Sequence, residues 1–341
     1  MSTDYYKIQD KNAEKTVIVF SSIHTLPGKF RFERQFANLD INVIFLNCPN
    51  NSWYLQGVPG LGDSLSTTRD AIKNIIDTTF PDSKVFALGS SMGASGLIGI
   101  TSGLNIERAF AFCPEIDLFK KYSFSANYYK GAITKQRDLW SELRECKNLH
   151  IFYGEECESD LNQLCSLKIQ TDIPLQTFAH EGHGTIEAIF LTEGLDGILD
   201  SLLNYRPVMP KIIQRGHIPG SLVTCKTLWR SYFCSRPDTK SDVLIMEVRE
   251  SLADLANKTK PDRSYYPLIQ YWRAILEPKK SEKLELLECA MASAPHSLRI
   301  ASAYFKIHGE DSVKLAFKQK FREKYGDRYT DHSRADLIRI F

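Results

Sequence analysis

A chain of 341 residues with 43% hydrophobic and 25% charged residues can hold one large domain, or a medium and a small one, around a substantial core. A formal net charge of +2 excludes the strong field by which a protein gathers nucleic acid or an acidic membrane surface. No segment reaches the roughly 18 apolar residues of a bilayer span, and the polar stretch 1–15 has no apolar signal core, so the chain is expected to be cytoplasmic and without a membrane span.

In chain order, residues 5–8 predict a short edge strand and 16–20 (TVIVF) a buried strand, followed by a turn at Ser21 and Ser22. Residues 42–46 (NVIFL) are the next strand, and 30–39 predict the crossover helix that parallel neighbours require. The Asn-, Pro- and Gly-rich stretch 47–63 reads as a long loop exposing Trp53 and Tyr54. Helical spacing resumes over 65–76 through Ile72, Ile75 and Ile76. A strand at 84–89 then breaks at Gly89-Ser90-Ser91-Met92-Gly93 into a small-residue helix. Strands follow at 108–112 (RAFAF), 149–153 (LHIFY) and 174–178. The polar and aromatic interval 115–148 is too long for a plain connection and is a candidate cap insertion. After 178 comes Ala179-His180-Glu181-Gly182-His183-Gly184, and then Leu191, Leu195, Ile198 and Leu202 keep the steps of one helical face. Strands alternating with helices define an α/β fold with a mostly parallel sheet.

The β pattern stops near residue 205. Residues 1–204 therefore read as one α/β domain, complete by residue 203, followed by a linker over 205–240 marked by Pro207, Pro210 and Pro219. An all-α region follows over 241–341, with helices predicted at 242–258, 265–276, 282–292, 297–307 and 311–324. The second and fourth start 32 residues apart, close to a tetratricopeptide-like period, while a plain helical bundle explains the pattern equally well. The eight cysteines show no CxxC pairing and read as reduced thiols.

The chemistry gathers at the GxSxG turn. A serine at a sharp strand-to-helix corner stands clear of the backbone beside helix amides, which makes Ser91 the candidate nucleophile, and Gly89 and Gly93 are needed because a side chain at either would collide with the strand or helix beside it. Ala94 and Gly96 keep the helix close to the sheet. The turn has neither a GKS/GKT lysine nor GxGxxG spacing, which argues against a phosphate loop. A serine hydroxyl needs a histidine to take its proton and a carboxylate to orient that histidine. His183 is preferred over His180, since Gly182 and Gly184 flank it and it precedes the last helix of the α/β region.

On Gly89-Ser90-Ser91-Met92-Gly93, the loop after Tyr153-Gly154 and Gly182-His183-Gly184, residues 16–203 resemble the α/β-hydrolase superfamily. The resemblance implies a serine esterase-like or acyltransferase-like enzyme that uses no cofactor or metal. It also implies an oxyanion hole from the backbone N–H groups of Met92 and of a residue after Phe20, here Ser22. Members often carry an aspartate three residues after the glycine that ends the acid's strand; here that residue is Cys157, surrounded by Glu155, Glu156, Glu158 and Asp160. Asp160 is the leading acid although it also suits the N-cap of a helix starting near Leu161, and Glu156 is the alternative. The expected function is hydrolysis of a small-molecule ester or thioester through an acyl-enzyme on Ser91. Acyl transfer by the same serine, or a weakly active fold serving as a binding module, are the alternatives. A protein partner or self-association would use the C-terminal helices.

Overall fold

The apolar runs of the first half of the chain become strands buried along nearly their whole length, the pattern of a parallel sheet covered on both faces. The computed structural model describes residues 2–129, 131, 137–218, 221–239, 241–308 and 311–332; Pro219 of the expected linker, parts of 115–148 and the last residues of the helical region lie outside them.

The elements are β1 (Tyr6–Gln9), β2 (Lys15–Phe20), α1 (Glu33–Phe36), β3 (Asn42–Leu46), α2 (Leu65–Thr79), β4 (Lys84–Ser90), α3 (Met92–Thr101) and β5 (Arg108–Phe112). Then come β6 (Asp117–Leu118), α4 (Phe124–Tyr128), β7 (Arg137–Asp138), α5 (Trp140–Glu145), β8 (Leu149–Gly154), α6 (Glu158–Gln170), β9 (Leu175–Phe178), α7 (Thr185–Glu193) and α8 (Asp196–Leu203). The chain continues through α9 (Leu222–Ser235), α10 (Asp242–Lys258), α11 (Tyr266–Leu276), α12 (Lys280–Ser293), α13 (Leu298–His308) and α14 (Asp311–His332). Seven strands form one sheet in the order β1-β3-β2-β4-β5-β8-β9. The pairs β3–β2, β2–β4, β4–β5 and β5–β8 are parallel, and β1 is an antiparallel edge strand on β3. The fold is α/β with a mostly parallel sheet, followed by an all-helical region, as the sequence predicts.

Several elements depart from expectation. The crossover helix expected over 30–39 shrinks to α1, because Phe32 takes a left-handed φ of 58° and supplies no side-chain cap. Trp53 and Tyr54 are not exposed but 1% and 0% accessible. The Tyr54 ring packs edge-on against Phe20 at 5.6 Å, and its hydroxyl donates to the carbonyls of Ser21 and Leu46 at 3.0 Å each, so an aromatic with a satisfied polar tip plugs the loop into the core. The single helical face expected after His183 is broken at Gly194, whose φ of 82° only glycine adopts freely, giving α7 and α8. Within 115–148, Ile116, Leu118, Leu139, Trp140 and Leu143 are buried and the Trp140 indole donates to Asp117 at 2.9 Å. Trp140 is thus core packing, whereas Tyr128 stays 40% exposed.

The described chain packs as two compact units: residues 1–152, 172–175 and 195–208 in one, and 153–171, 176–194 and 209–341 in the other. The first holds the apolar centre of the sheet, including Ile18, Phe45, Phe86, Leu88 and Phe110, all 0% exposed. In the second, α6 packs on α9, α9 on α10 and α11, α11 on α12, α12 on α13, and α14 on α7. The stretch 205–240 carries α9, a helix that its prolines concealed, so it does not run as a plain linker. The segments bearing Asp160 and His183 thus share a unit with the C-terminal helices, a grouping that the change of composition at 205 does not suggest.

Candidate active site

In the first unit, β4 ends at Ser90 and α3 begins at Met92, leaving Ser91 alone at the corner with φ 53° and ψ −125°. A non-glycine residue in this region costs about 1–3 kcal/mol and persists only where its surroundings hold it. Here the Ser91 amide donates to the Phe112 carbonyl at 2.8 Å, while its own carbonyl accepts from Ala94 (2.9 Å) and Ser95 (3.2 Å). The two glycines act as expected: a Cβ on Gly89 would sit 2.6 Å from the Gly93 carbonyl oxygen, and one on Gly93 would sit 2.6 and 2.8 Å from those of Phe20 and Ser21. The end of β2 therefore lies directly against the start of α3, and the expected oxyanion donors Met92 and Ser22 both belong to this unit. Gly96 has a different role from the one expected, since its missing side chain makes room for the Tyr54 ring, 2.2 Å from where a Cβ would stand.

In the second unit, the turn after β8 delivers α6 with Cys157 at its N-cap and no side-chain cap bond. Asp160 is therefore the third residue of the helix and not its cap, so the alternative of a capping aspartate does not hold. Its carboxylate is fully buried, and its two oxygens lie 2.9 and 3.2 Å from Nδ1 of His183. A carboxylate at that distance assigns the proton to Nδ1, which leaves Nε2 of a neutral imidazole as a proton acceptor. The loop carrying His183 rests on the end of β8 so closely that a Cβ on Gly154 would fall 2.1 Å from the Gly182 carbonyl oxygen and 2.3 Å from that of Glu181. The glycines beside the histidine are less constrained than the sequence suggests: a Cβ on Gly182 would meet nothing within 4 Å, and one on Gly184 only the Glu187 side chain at 3.8 Å.

The structure sets the alternative acid beside the other histidine. Glu156 Oε1 lies 3.7 Å from Nδ1 of His180, an electrostatic contact longer than a hydrogen bond. Burial raises the Glu156 carboxyl pKa, but His180, Ser297 and Arg299 outweigh it and hold the group below its ordinary value. Glu155 accepts from the Thr177 hydroxyl (2.7 Å) and the Ile218 amide (2.8 Å), which accounts for a structural role. Two further acids of these runs are buried with partners that the sequence does not show. Glu158 is ion-paired to Arg299, and Glu181 is pushed up to about 8 by burial and by the Glu156 charge. The acid-rich run 155–160 is visible in the sequence, but no local pattern points to Arg299, which arrives from α13.

No protein-family model matches the chain, and no curated protein matches it significantly. Among solved structures it is similar to the capsule O-acetyltransferase of Neisseria meningitidis serogroup A, with 18% identity over 52% of this chain and 83% of that one and a TM-score of 0.39. A CIB-like hydrolase from Thermoplasma acidophilum matches at 9% identity over 60% of this chain and 97% of that one, with a TM-score of 0.36. An esterase of Pyrococcus furiosus matches at 15% over 50% and 74%, with a TM-score of 0.33. At TM-scores below 0.5, what these proteins act on says nothing of this chain's substrate.

Proposed function

We propose that the chain is a serine hydrolase of the α/β-hydrolase type that cleaves a small ester or thioester through an acyl-enzyme on Ser91. The observation that carries this reading is the buried Asp160–His183 pair at 2.9 Å, because it supplies the acid that Cys157 does not. His183 takes the Ser91 proton on Nε2 as the oxygen attacks the substrate carbonyl, and Asp160 holds the tautomer and stabilises the imidazolium. The amides of Met92 and Ser22 receive the developing oxyanion. Collapse of the tetrahedral intermediate breaks the ester C–O or thioester C–S bond, and the imidazolium gives its proton to the leaving oxygen or sulfur. Water then enters by the same base, its hydrogen passing to His183 and on to Ser91 as the acid is released. An alcohol in place of water would give acyl transfer from the same acyl-enzyme.

The test is turnover of a p-nitrophenyl ester series by wild type, Ser91→Ala, His183→Ala and His180→Ala. Ser91→Ala and His183→Ala are expected to lose at least about 10³-fold in turnover, with His180→Ala mild by comparison. Activity retained by Ser91→Ala, or equal losses at the two histidines, would overturn the assignment. Adding an alcohol acceptor and following the transfer product decides between water and alcohol.

A further inference from the structure

The turn after β8 and the first turn of α6 carry four buried carboxylates in six residues: Glu155 (0% exposed), Glu156 (7%), Glu158 (6%) and Asp160 (0%). Buried like charges at this spacing are costly unless each meets a donor or a cation. Glu155 is met by Thr177 and Ile218, and Asp160 by His183. Of the two between them, Glu158 is ion-paired to Arg299, while Glu156 is held ionised by His180 and Ser297 with a smaller contribution from Arg299.

We propose that Arg299 is a positioning residue for the His183–Asp160 pair, anchoring the first turn of α6 to α13; this rests on reading that pair as the base and its orienting acid. Glu158 and Asp160 are the first and third residues of the same helical turn, so whatever fixes Glu158 fixes the carboxylate that holds His183. Arg299 is itself held, its guanidinium 5.8 Å from the centre of the Tyr271 ring on α11. The buried Ser297 just before α13 accepts from the Ile300 amide at 3.2 Å and so fixes the start of that helix. A displacement of about 1 Å in a catalytic group can cost on the order of 10²-fold in rate, which is why an anchor two residues from the acid matters to turnover. The other groups that act on this cluster are His180 and Glu181 after β9, Ser297 before α13 and Lys324 on α14. Among these, Lys324 bears on Glu181, which leaves Glu156 to His180 and Ser297 and Glu158 to Arg299.

The test uses the full chain carrying Arg299→Gln or Arg299→Lys, with ester kinetics and an NMR titration of the His183 imidazole assigned against His183→Ala. Arg299→Gln is expected to lower kcat about 10-fold or more with KM within about twofold, since the acid is misplaced and substrate contacts are not. A misplaced Asp160 stabilises the imidazolium less, and losing this 2.9 Å contact outweighs the loss of the Arg299 charge, so the His183 midpoint should fall. Arg299→Lys keeps the charge and should restore the midpoint and most of kcat. Wild-type kcat and midpoint in Arg299→Gln, or equal losses in both variants with an unmoved midpoint, would overturn the proposal. If Arg299→Gln does not fold, Arg299→Gln/Glu158→Gln removes the orphaned carboxylate, and wild-type turnover in that double variant would overturn it as well. The NMR midpoint does not depend on Ser91, so a failure of the acyl-enzyme reading, seen as an active Ser91→Ala, stays distinct from a failure of this one.

Discussion

Replacing Asp160 by Asn removes one charge and almost no volume from a fully buried carboxylate of the candidate site. Both oxygens of Asp160 lie within 3.2 Å of His183 Nδ1, and the residue is 0% exposed, so solvent screens little of its charge. An amide there can turn its NH₂ toward Nδ1, which moves the imidazole proton to Nε2 and leaves the base unable to accept from serine. The rate cost of this change in a serine–histidine–aspartate unit is up to roughly 10⁴-fold, or about 5.5 kcal/mol of transition-state stabilisation. The effect on stability is far smaller. Losing a charged acceptor costs about 1–2 kcal/mol, and the lower expense of burying a neutral group offsets part of it. No helix cap is lost, because Cys157 and not Asp160 occupies the N-cap of α6. Ester turnover and a thermal melt of Asp160→Asn beside Glu156→Gln provide the assay: the first variant should lose turnover with a melt within a few degrees of wild type, and the second should keep most of its turnover. An Asp160→Asn enzyme within about threefold of wild type, or a collapse of activity confined to Glu156→Gln, would refute the reasoning.

Glu181 is 3% exposed and titrates near 8 in the folded protein against an ordinary 4.5, so the native state holds a proton that the unfolded chain releases. Its contribution to stability is full below about pH 4.5 and is lost as pH rises through 8. Glu181→Gln should therefore gain in melting temperature relative to wild type as pH goes from 5 to 9, and a pH-independent difference would contradict this. Gly96→Ala should destabilise the fold by about 1–3 kcal/mol through the Tyr54 ring; were Tyr54 exposed, the same change would add helix propensity and stabilise by up to ~1 kcal/mol, so the sign of the change in denaturant midpoint decides. Ending the chain after Leu203 removes α9, which packs on α6, a helix whose Leu161, Leu164 and Leu167 are buried. At about 1.5–3 kcal/mol per buried side chain this loss is a large share of the roughly 5–15 kcal/mol of a whole domain, so the fragment should melt well below the full chain, and an unchanged melting temperature would refute the estimate.

The sheet was legible because its strands are buried runs such as TVIVF and NVIFL, where period and composition agree. The serine turn was legible for a related reason: crowding at Gly89 and Gly93 leaves a local signature that any strand-to-helix corner of this kind must carry. What the sequence hid depends on partners far along the chain. Tyr54 sits in a loop whose Asn, Pro and Gly content signals exposure, yet its burial is decided by a glycine on α3 and two carbonyls on other segments. The sequence favours Asp160 over Glu156 only narrowly, and the fold of the loop after β9 sends His183 to one and His180 to the other. The C-terminal helices were legible as helices from their periodicity. Their grouping with the segments that bear the acid and the histidine was not, because α9 is masked by flanking prolines and the Arg299–Glu158 ion pair has no local counterpart.

The central claim is that Ser91 is a nucleophile activated by His183 and Asp160, and the most direct measurement is covalent labelling by a fluorophosphonate probe followed by mapping of the modified peptide. A single phosphonylated residue, Ser91, is expected, with labelling abolished in Ser91→Ala and slowed by orders of magnitude in His183→Ala. Labelling at Ser90, undiminished labelling of Ser91→Ala, or no labelling of the wild-type chain would contradict it.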